Sequence, residues 1–190
     1  MAIKKIGIDY DGTLARTQDV VTLLMNFKHN TSYTTKDIRD WYFWESKGLA
    51  DDFWKIYDLF DNTALRRAIL PYDSYVAPTV QQLAEKYDLT ILTANDPKCV
   101  KPIQNWAAAN LHIHVPVIAI GRGPSARKLD GSFDLLIDDS PELASTESTI
   151  PRILMNTKWN EHVPDSFYVI RNRSWLEVPK TIEIFEKRTM

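Results

Sequence analysis

The stretch that most constrains this chain is Ile6-Gly-Ile-Asp9-Tyr-Asp11-Gly-Thr13-Leu14. It starts inside a short apolar run, Ile3 to Ile8, with the length and composition of a buried strand. The run stops at two aspartates one residue apart, a glycine and a hydroxyl. Side chains at i and i+2 of a strand share a face, so the two carboxylates crowd each other. That is costly unless a cation or a phosphoryl group sits between them. Gly12 lets the chain turn with an unusual φ and lets a ligand come close to the backbone. Open α/β sheets bind ligands in the crevice beyond the carboxyl ends of their strands, which is where these residues would lie.

The rest of the chain alternates helices and strands. Val20, Val21, Leu23, Leu24 and Phe27 are spaced as one face of a helix over Asp19–His29. Thr34-Thr35 offers an N-cap for a second helix. The run Trp41-Tyr42-Phe43-Trp44, then Phe53-Trp54 and Ile56-Tyr57, makes the segment from Ala15 to Tyr75 unusually aromatic. It is expected to be all-helical, with Pro71–Tyr75 as its hinge. Pro78 suits a helix N1 position, and Val76, Val80, Leu83 and Tyr87 space as a helix lying on a sheet. Further strands are expected at Leu89–Thr93, Val115–Ile120, Phe133–Ile137, Arg152–Met155 and Phe167–Ile170. Pro116 places the Val115 strand early or at an edge. Asp96-Pro97 and Ser174 open the intervening and last helices. The expected fold is α/β: a three-layer, Rossmann-like core with a parallel sheet covered on both faces. Residues 1–14 and 76–190 would form this core and residues 15–75 a small helical cap inserted after the first strand.

Composition narrows the functional classes. A net charge of −2 with no basic stripe argues against binding a nucleic-acid polymer or a membrane surface. No apolar run approaches the roughly 20 residues of a membrane helix. The first residues run straight into a strand and read as no signal peptide. A single cysteine, Cys99, cannot form an internal disulfide and fits a reducing cytoplasm. Oligomeric state stays open, a homodimer included.

Three strand ends carry polar side chains: Asp9 and Asp11, then Thr93 in Ile91-Leu-Thr-Ala-Asn95, then Asp138-Asp139 in Leu136-Ile-Asp-Asp-Ser-Pro141. In a parallel sheet these ends share one edge and can converge. Arg127-Lys128, just before the fourth strand, can add positive charge. The ordered set resembles the four motifs of the haloacid dehalogenase-like phosphohydrolases: Asp9, Asp11 and Thr13 as motif I, Thr93 as motif II, Lys128 (or its neighbour Arg127) as motif III, and Asp138-Asp139 as motif IV. The resemblance spans residues 3–142, and the insert lies where C1-type caps of that family occur. Within the family the chain looks most like the 5′(3′)-deoxyribonucleotidases, on its Ile-Asp-Asp-Ser-Pro stretch, its aromatic cap and the Trp175-Leu176 helix.

The resemblance implies a Mg2+-dependent phosphomonoesterase acting on a nucleoside monophosphate. Asp9 would be the nucleophile, forming an aspartyl-phosphate, and Asp11 the acid and then base. Mg2+, which prefers hard oxygen ligands, would be held by Asp9, the Asp11 backbone carbonyl and motif IV, with Asp139 favoured over Asp138 as the direct ligand. Thr93, Ala94, Asn95 and Lys128 would bind the phosphoryl group, and Phe43 and Trp44 would stack on a flat substrate. Alternatives are a phosphatase of another small metabolite or of a phosphoprotein, as Ile137-Asp-Asp-Ser-Pro141 also resembles the phosphatases of the RNA polymerase C-terminal domain. A phosphotransferase and a non-catalytic binding protein of the same fold are others.

Each feature also has a plainer reading. Asp9 and Asp11 could be turn residues. Asp138-Asp139-Ser-Pro could be an ordinary helix start, Thr93 a strand threonine and Arg127-Lys128 a solvated pair. Most cap aromatics would simply form the core of a small insert. His112 and His114 lack a third metal ligand nearby, Cys99 reads as a packed thiol, and Gly121-Arg-Gly123 lacks the spacing and lysine of a phosphate loop.

Overall fold

The computed structural model describes residues 2–189. Six strands form one sheet: β1 Lys5–Asp9, β2 Asp88–Thr93, β3 Val117–Ala119, β4 Leu135–Asp138, β5 Arg152–Met155 and β6 Val169–Asn172. Their order is β3-β2-β1-β4-β5-β6 and every pairing is parallel. The central strands are buried along nearly their whole length, as a sheet covered on both faces requires. Among the described residues eight α-helices accompany them: α1 Thr17–His29, α2 Phe43–Ser46, α3 Ala50–Asp58, α4 Thr63–Arg67, α5 Val76–Ala84, α6 Val100–Leu111, α7 Pro141–Ser145 and α8 Val178–Thr189. None is long and apolar enough to cross a membrane.

From β1 the chain moves outward through β2 to β3, then returns to the other side of β1 as β4. The direction of winding thus reverses between β1 and β4. The carboxyl ends of adjacent strands diverge there and open a crevice, between Asp9 and Asp138.

The segment between β1 and α5 is a helical cap, α1 to α4. It is less helical than expected: residues 30–42 contain no helix. Thr34 caps nothing. Its backbone N–H and its hydroxyl both donate to Asp37 Oδ2 at 2.7 Å, closing a single turn that does not continue into a helix. Asn26 ties this loop to α1 by donating to the Tyr33 carbonyl at 2.6 Å and accepting from Tyr33 N–H at 3.0 Å. Pro78 is the third residue of α5 rather than the first, still within the turn whose N–H groups have no helical acceptor. β3 is the short edge strand that Pro116 suggested. β6 falls two residues later than expected, paired through Val169 with Arg152. Asp96 and Ser174 do cap, each over a short 3-10 turn that leads into α6 and α8 respectively.

Cap and core share one apolar cluster, in which Met25, Trp44 and Phe60 of the cap join Ile8, Ile91 and Ile137 of the sheet. The two chain crossings pair with each other: Arg16 N–H donates to the Leu70 carbonyl at 2.9 Å and Tyr72 N–H to the Leu14 carbonyl at 2.8 Å. Trp106 of α6, fully buried, fixes this hinge. Its indole N–H donates to the Ile69 carbonyl at 2.7 Å, and its ring meets Tyr10 edge-on at 5.0 Å. Trp106→Phe keeps most of the packing but strands that buried carbonyl. It is expected to lower stability by about 1–3 kcal/mol, seen as a lower urea midpoint at unchanged slope.

Candidate active site

Strand ends deliver the charged groups. Asp9 closes β1 and Asp138 closes β4, with Asp139 next in the chain. Lys128 enters from a 3-10 turn, Ser125–Leu129. Its Nζ lies 2.5 Å from Asp9 Oδ1 and 2.5 Å from Asp138 Oδ2. Arg127, its neighbour, is exposed and turns back to the Ile120 carbonyl, so the lysine is the cation of this pair that enters the site. Asp9, Asp138 and Asp139 each bring a carboxylate oxygen within 4.8 Å of the other two. All three, and Lys128, are buried.

Three carboxylates thus face one ammonium away from water. Burial pushes the Asp9 carboxyl up to about 8; Lys128 opposes the shift, and Asp138 and Asp11 add to it. Burial, with Asp9 and Asp138 beside it, also holds Asp139 well above the usual carboxylate range. Burial disfavours the Lys128 ammonium, yet Asp138 and Asp9 outweigh it and raise its pKa. The surplus negative charge and all-oxygen donor set fit a small hard cation such as Mg2+. Gly12 adds to the fit. Its φ is +82°, and a Cβ there would collide with Asp139 Oδ2, so only glycine lets the turn lie against this carboxylate. Both oxygens of Asp138 already accept protein donors, Lys128 and the Ser140 N–H at 2.8 Å. The stretch Asp138-Asp139-Ser-Pro is also a helix start, since Ser140 caps α7 by accepting from Leu143 N–H at 3.2 Å.

Asp11 lies apart from this cluster, its side chain 17% exposed. Its Oδ1 accepts from the Thr17 hydroxyl at 2.6 Å and its Oδ2 from Asn95 Nδ2 at 2.6 Å. Thr93 stands behind Asn95. It accepts from Asn95 Nδ2 at 2.8 Å and donates to Asp11 Oδ2 at 3.5 Å. Two partners of Asp11 carry no sequence signal. Thr17 looks like any residue of the first turn of α1. Arg66 sits in α4, fully buried, with Nη1 3.8 Å from Asp11 Oδ1, Nε bonded to the Phe60 carbonyl and the guanidinium over the Tyr10 ring. A third residue outside the motifs is Trp159, whose indole N–H donates to Asp139 Oδ2 at 3.1 Å.

Above these groups lies a cavity of about 240 Å³. Asp9, Asp11, Asp138, Asp139 and Lys128 line it, with Ala94 and Asn95 at one side. The cap contributes Trp41, Phe43, Trp44, Phe53, Trp54 and Tyr57. Thr93 does not reach the lining. Phe43 and Trp44 do two jobs, since they also pack edge-on against each other at 5.0 Å and against Tyr33. The residues set aside as bland stay so: His112 and His114 are exposed and apart from the acidic cluster. Cys99 is buried and free, its thiol pushed up to about 11 by that burial.

No family model matches the chain, and no curated protein matches it in sequence. Solved structures do match in shape. A haloacid dehalogenase-like hydrolase family protein from Streptococcus pneumoniae superposes with a TM-score of 0.64 at 17% identity, over 94% of this chain and 98% of that one. A protein described as a predicted phosphoglycolate phosphatase, from Haemophilus somnus, gives 0.63 at 17%, over 94% and 97%. A haloacid dehalogenase-type hydrolase from Bacillus subtilis, bound to magnesium, gives 0.54 at 12%, over 96% and 99%. The chain has the haloacid dehalogenase-like fold. At these identities the likeness is one of fold, over nearly the full length of both chains.

Lys128 is the group that this arrangement can least lose. Lys128→Met removes the one ammonium among three buried carboxylates and is expected to cost about 3–5 kcal/mol in EDTA. Mg2+ should restore part of the loss. Urea unfolding with and without the cation checks both.

Proposed function

We propose that the protein is a Mg2+-dependent phosphomonoesterase that hydrolyses nucleoside monophosphates through an aspartyl-phosphate on Asp9. The observation that carries this reading is one cavity with an acid–lysine floor and an aromatic wall. When bound at Asp9, Asp139 and Asp138, the cation would neutralise phosphoryl charge so that a carboxylate can approach it. That Asp138 already has both oxygens engaged favours Asp139 as the direct ligand.

The residues divide the work. An Asp9 oxygen attacks phosphorus as the bond to the leaving oxygen breaks. Asp11, oriented by Thr17 and Asn95, gives its proton to the leaving alkoxide. Water then attacks the acyl-phosphate, Asp11 takes a proton from it, and phosphate and free Asp9 result. Such acid–base assistance contributes about 10²–10⁴-fold. Lys128 holds Asp9 and Asp138 in place, and Asn95 with Ala94 borders the phosphoryl position. The helical insert, residues 15–75, serves as the substrate-recognising cap.

The aromatic wall supports a ring-bearing substrate. The Haemophilus neighbour is described by a small phosphorylated acid, and that reading is the second one here. A substrate of that kind carries a further carboxylate. Among the described residues lining the cavity, Lys128 is the one cation, and it is already engaged by Asp9 and Asp138. Flat faces are available and a second cation is not. A cytoplasmic setting is part of this proposal, since a chain with one cysteine builds no internal disulfide that would need an oxidising compartment.

The test is phosphate release from nucleoside 5′- and 3′-monophosphates, deoxy and ribo, alongside phosphoglycolate and sugar phosphates, with Mg2+ and with EDTA. Metal-dependent release concentrated on nucleotides is expected. Release from phosphoglycolate alone would overturn the substrate assignment while keeping the chemistry. Asp9→Asn should lower kcat by a factor on the order of 10⁴ or more. Phe43→Leu, which removes a ring but keeps bulk, should raise KM by roughly tenfold, the weight of about 1–3 kcal/mol for one stacked base.

A further inference from the structure

Asp139 is held from behind by a segment that no motif marks. Trp159 and Asn160 lie on a 3-10 turn, Lys158–Asn160, just after β5. The Trp159 indole N–H donates to Asp139 Oδ2 at 3.1 Å, and Asn160 Nδ2 donates to the Asp139 backbone carbonyl at 2.9 Å. The turn is itself rigid. Asn160 is fully buried, its Oδ1 accepts from the Thr157 N–H at 3.1 Å and from Arg171 Nη1 at 2.6 Å, and its amide also reaches the Met155 carbonyl.

Trp159 is only 9% exposed, and its ring meets that of Trp41, 39% exposed, with centroids 6.5 Å apart and planes at 55°. Trp41 belongs to the non-helical cap loop 30–42 and lines the cavity. The next residue, Tyr42, hydrogen-bonds through its hydroxyl to Glu142 in the first turn of α7, the helix that follows Asp139. The cap loop therefore rests on both segments that position this carboxylate.

From this arrangement we infer that Trp159 is a positioning residue that couples the cap loop at Trp41 to cation binding at Asp139. The inference rests on the reading of Asp139 as a cation ligand. Fixing one carboxylate oxygen on an indole N–H orients the other, and partners of this kind typically change metal affinity 10–100-fold when removed. The Trp41 ring, packed on the indole, restricts its motion and so strengthens the hold. Linkage makes the effect mutual: whatever seats the loop on Trp159 tightens the cation, and the cation tightens the loop to the same degree.

The experiment is calorimetric titration of Mg2+ alone into the metal-free, full-length protein, without substrate, for wild type, Asp139→Asn, Trp159→Phe, Trp41→Ala and the double variant Trp41→Ala/Trp159→Phe. Thermal unfolding in EDTA confirms that each is folded. Asp139→Asn should abolish measurable binding. Trp159→Phe, which keeps a ring but loses the N–H, should weaken Mg2+ by roughly tenfold. Trp41→Ala should weaken it by about fivefold, and the double variant should bind no more weakly than Trp159→Phe, because Trp41 acts only through the indole. If Asp139→Asn abolishes binding while Trp159→Phe and Trp41→Ala bind as wild type, the coupling is overturned and the ligand assignment stands. If Asp139→Asn binds as wild type, the ligand assignment falls and takes the inference with it. Should Trp159→Phe fail to fold, the half-exposed Trp41 decides alone, and wild-type affinity in Trp41→Ala overturns the coupling.

Discussion

Everything in this molecule turns on three aspartates gathered around one lysine where water is scarce. Asp9, Asp138 and Asp139 crowd one another in the interior, and Lys128, seated between two of them, opposes but does not cancel the upward push that burial gives the Asp9 carboxyl. One ammonium does not balance three carboxylates. The site is therefore built with a standing deficit of positive charge, which a bound divalent cation would offset and an arriving phosphoryl group would deepen. A site assembled purely for stability would have paired these charges or replaced them with apolar groups.

The sheet makes such a cluster possible without a special loop. Parallel strands point all their carboxyl ends the same way, so Asp9 on β1 and Asp138 on β4 become neighbours although 129 positions separate them in sequence. The winding reverses between those two strands, and the cavity lies at the gap this leaves. Insertion of the cap directly after β1 then roofs that gap. The cap's entry and exit chains pair beside Tyr10 and Trp106, which anchors one end of it, while Trp41 and the aromatics of α2 and α3 line the cavity over the charged floor.

What the sequence disclosed follows from this division. Asp9, Thr93 and Asp138-Asp139 were legible because each sits at or beside a strand end, and strand ends can be read from apolar runs, whereas Lys128 lies in the turn ahead of β4 and was read from its charge and its place in the motif order. Asp138-Asp139-Ser-Pro was legible twice over, as a charge pair and as the start of α7. Arg66, Thr17 and Trp159 were not. They reach Asp11 and Asp139 through tertiary packing, and nothing in Ala64-Leu-Arg-Arg67 or Lys158-Trp159-Asn160 distinguishes them from ordinary helix and turn residues. The cap loop was misread for a local reason: Thr34 and Asp37 bond to each other across one isolated turn, so a pair with the look of a helix start has no helix after it. Secondary structure was thus most readable where burial imposes periodicity and least readable where short polar side chains compete with the backbone.

The cap also shows why substrate class is harder to read than chemistry. The floor needs particular charges at particular points, so few residue types will serve. The wall needs only apolar faces of the right curvature, and a small insert without room for its own core needs the same faces to fold at all. Phe43 and Trp44 meet both demands, packing on Tyr33 with one side and lining the cavity with another. An aromatic there is consistent with either role taken alone. What bears on the proposed roles is the company it keeps: among the described residues lining the cavity the wall supplies rings, and the one cation, Lys128, is already engaged. Trp159 stands where floor and wall meet, bonded to Asp139 and packed on Trp41, so one side chain touches both the charged floor and the aromatic wall.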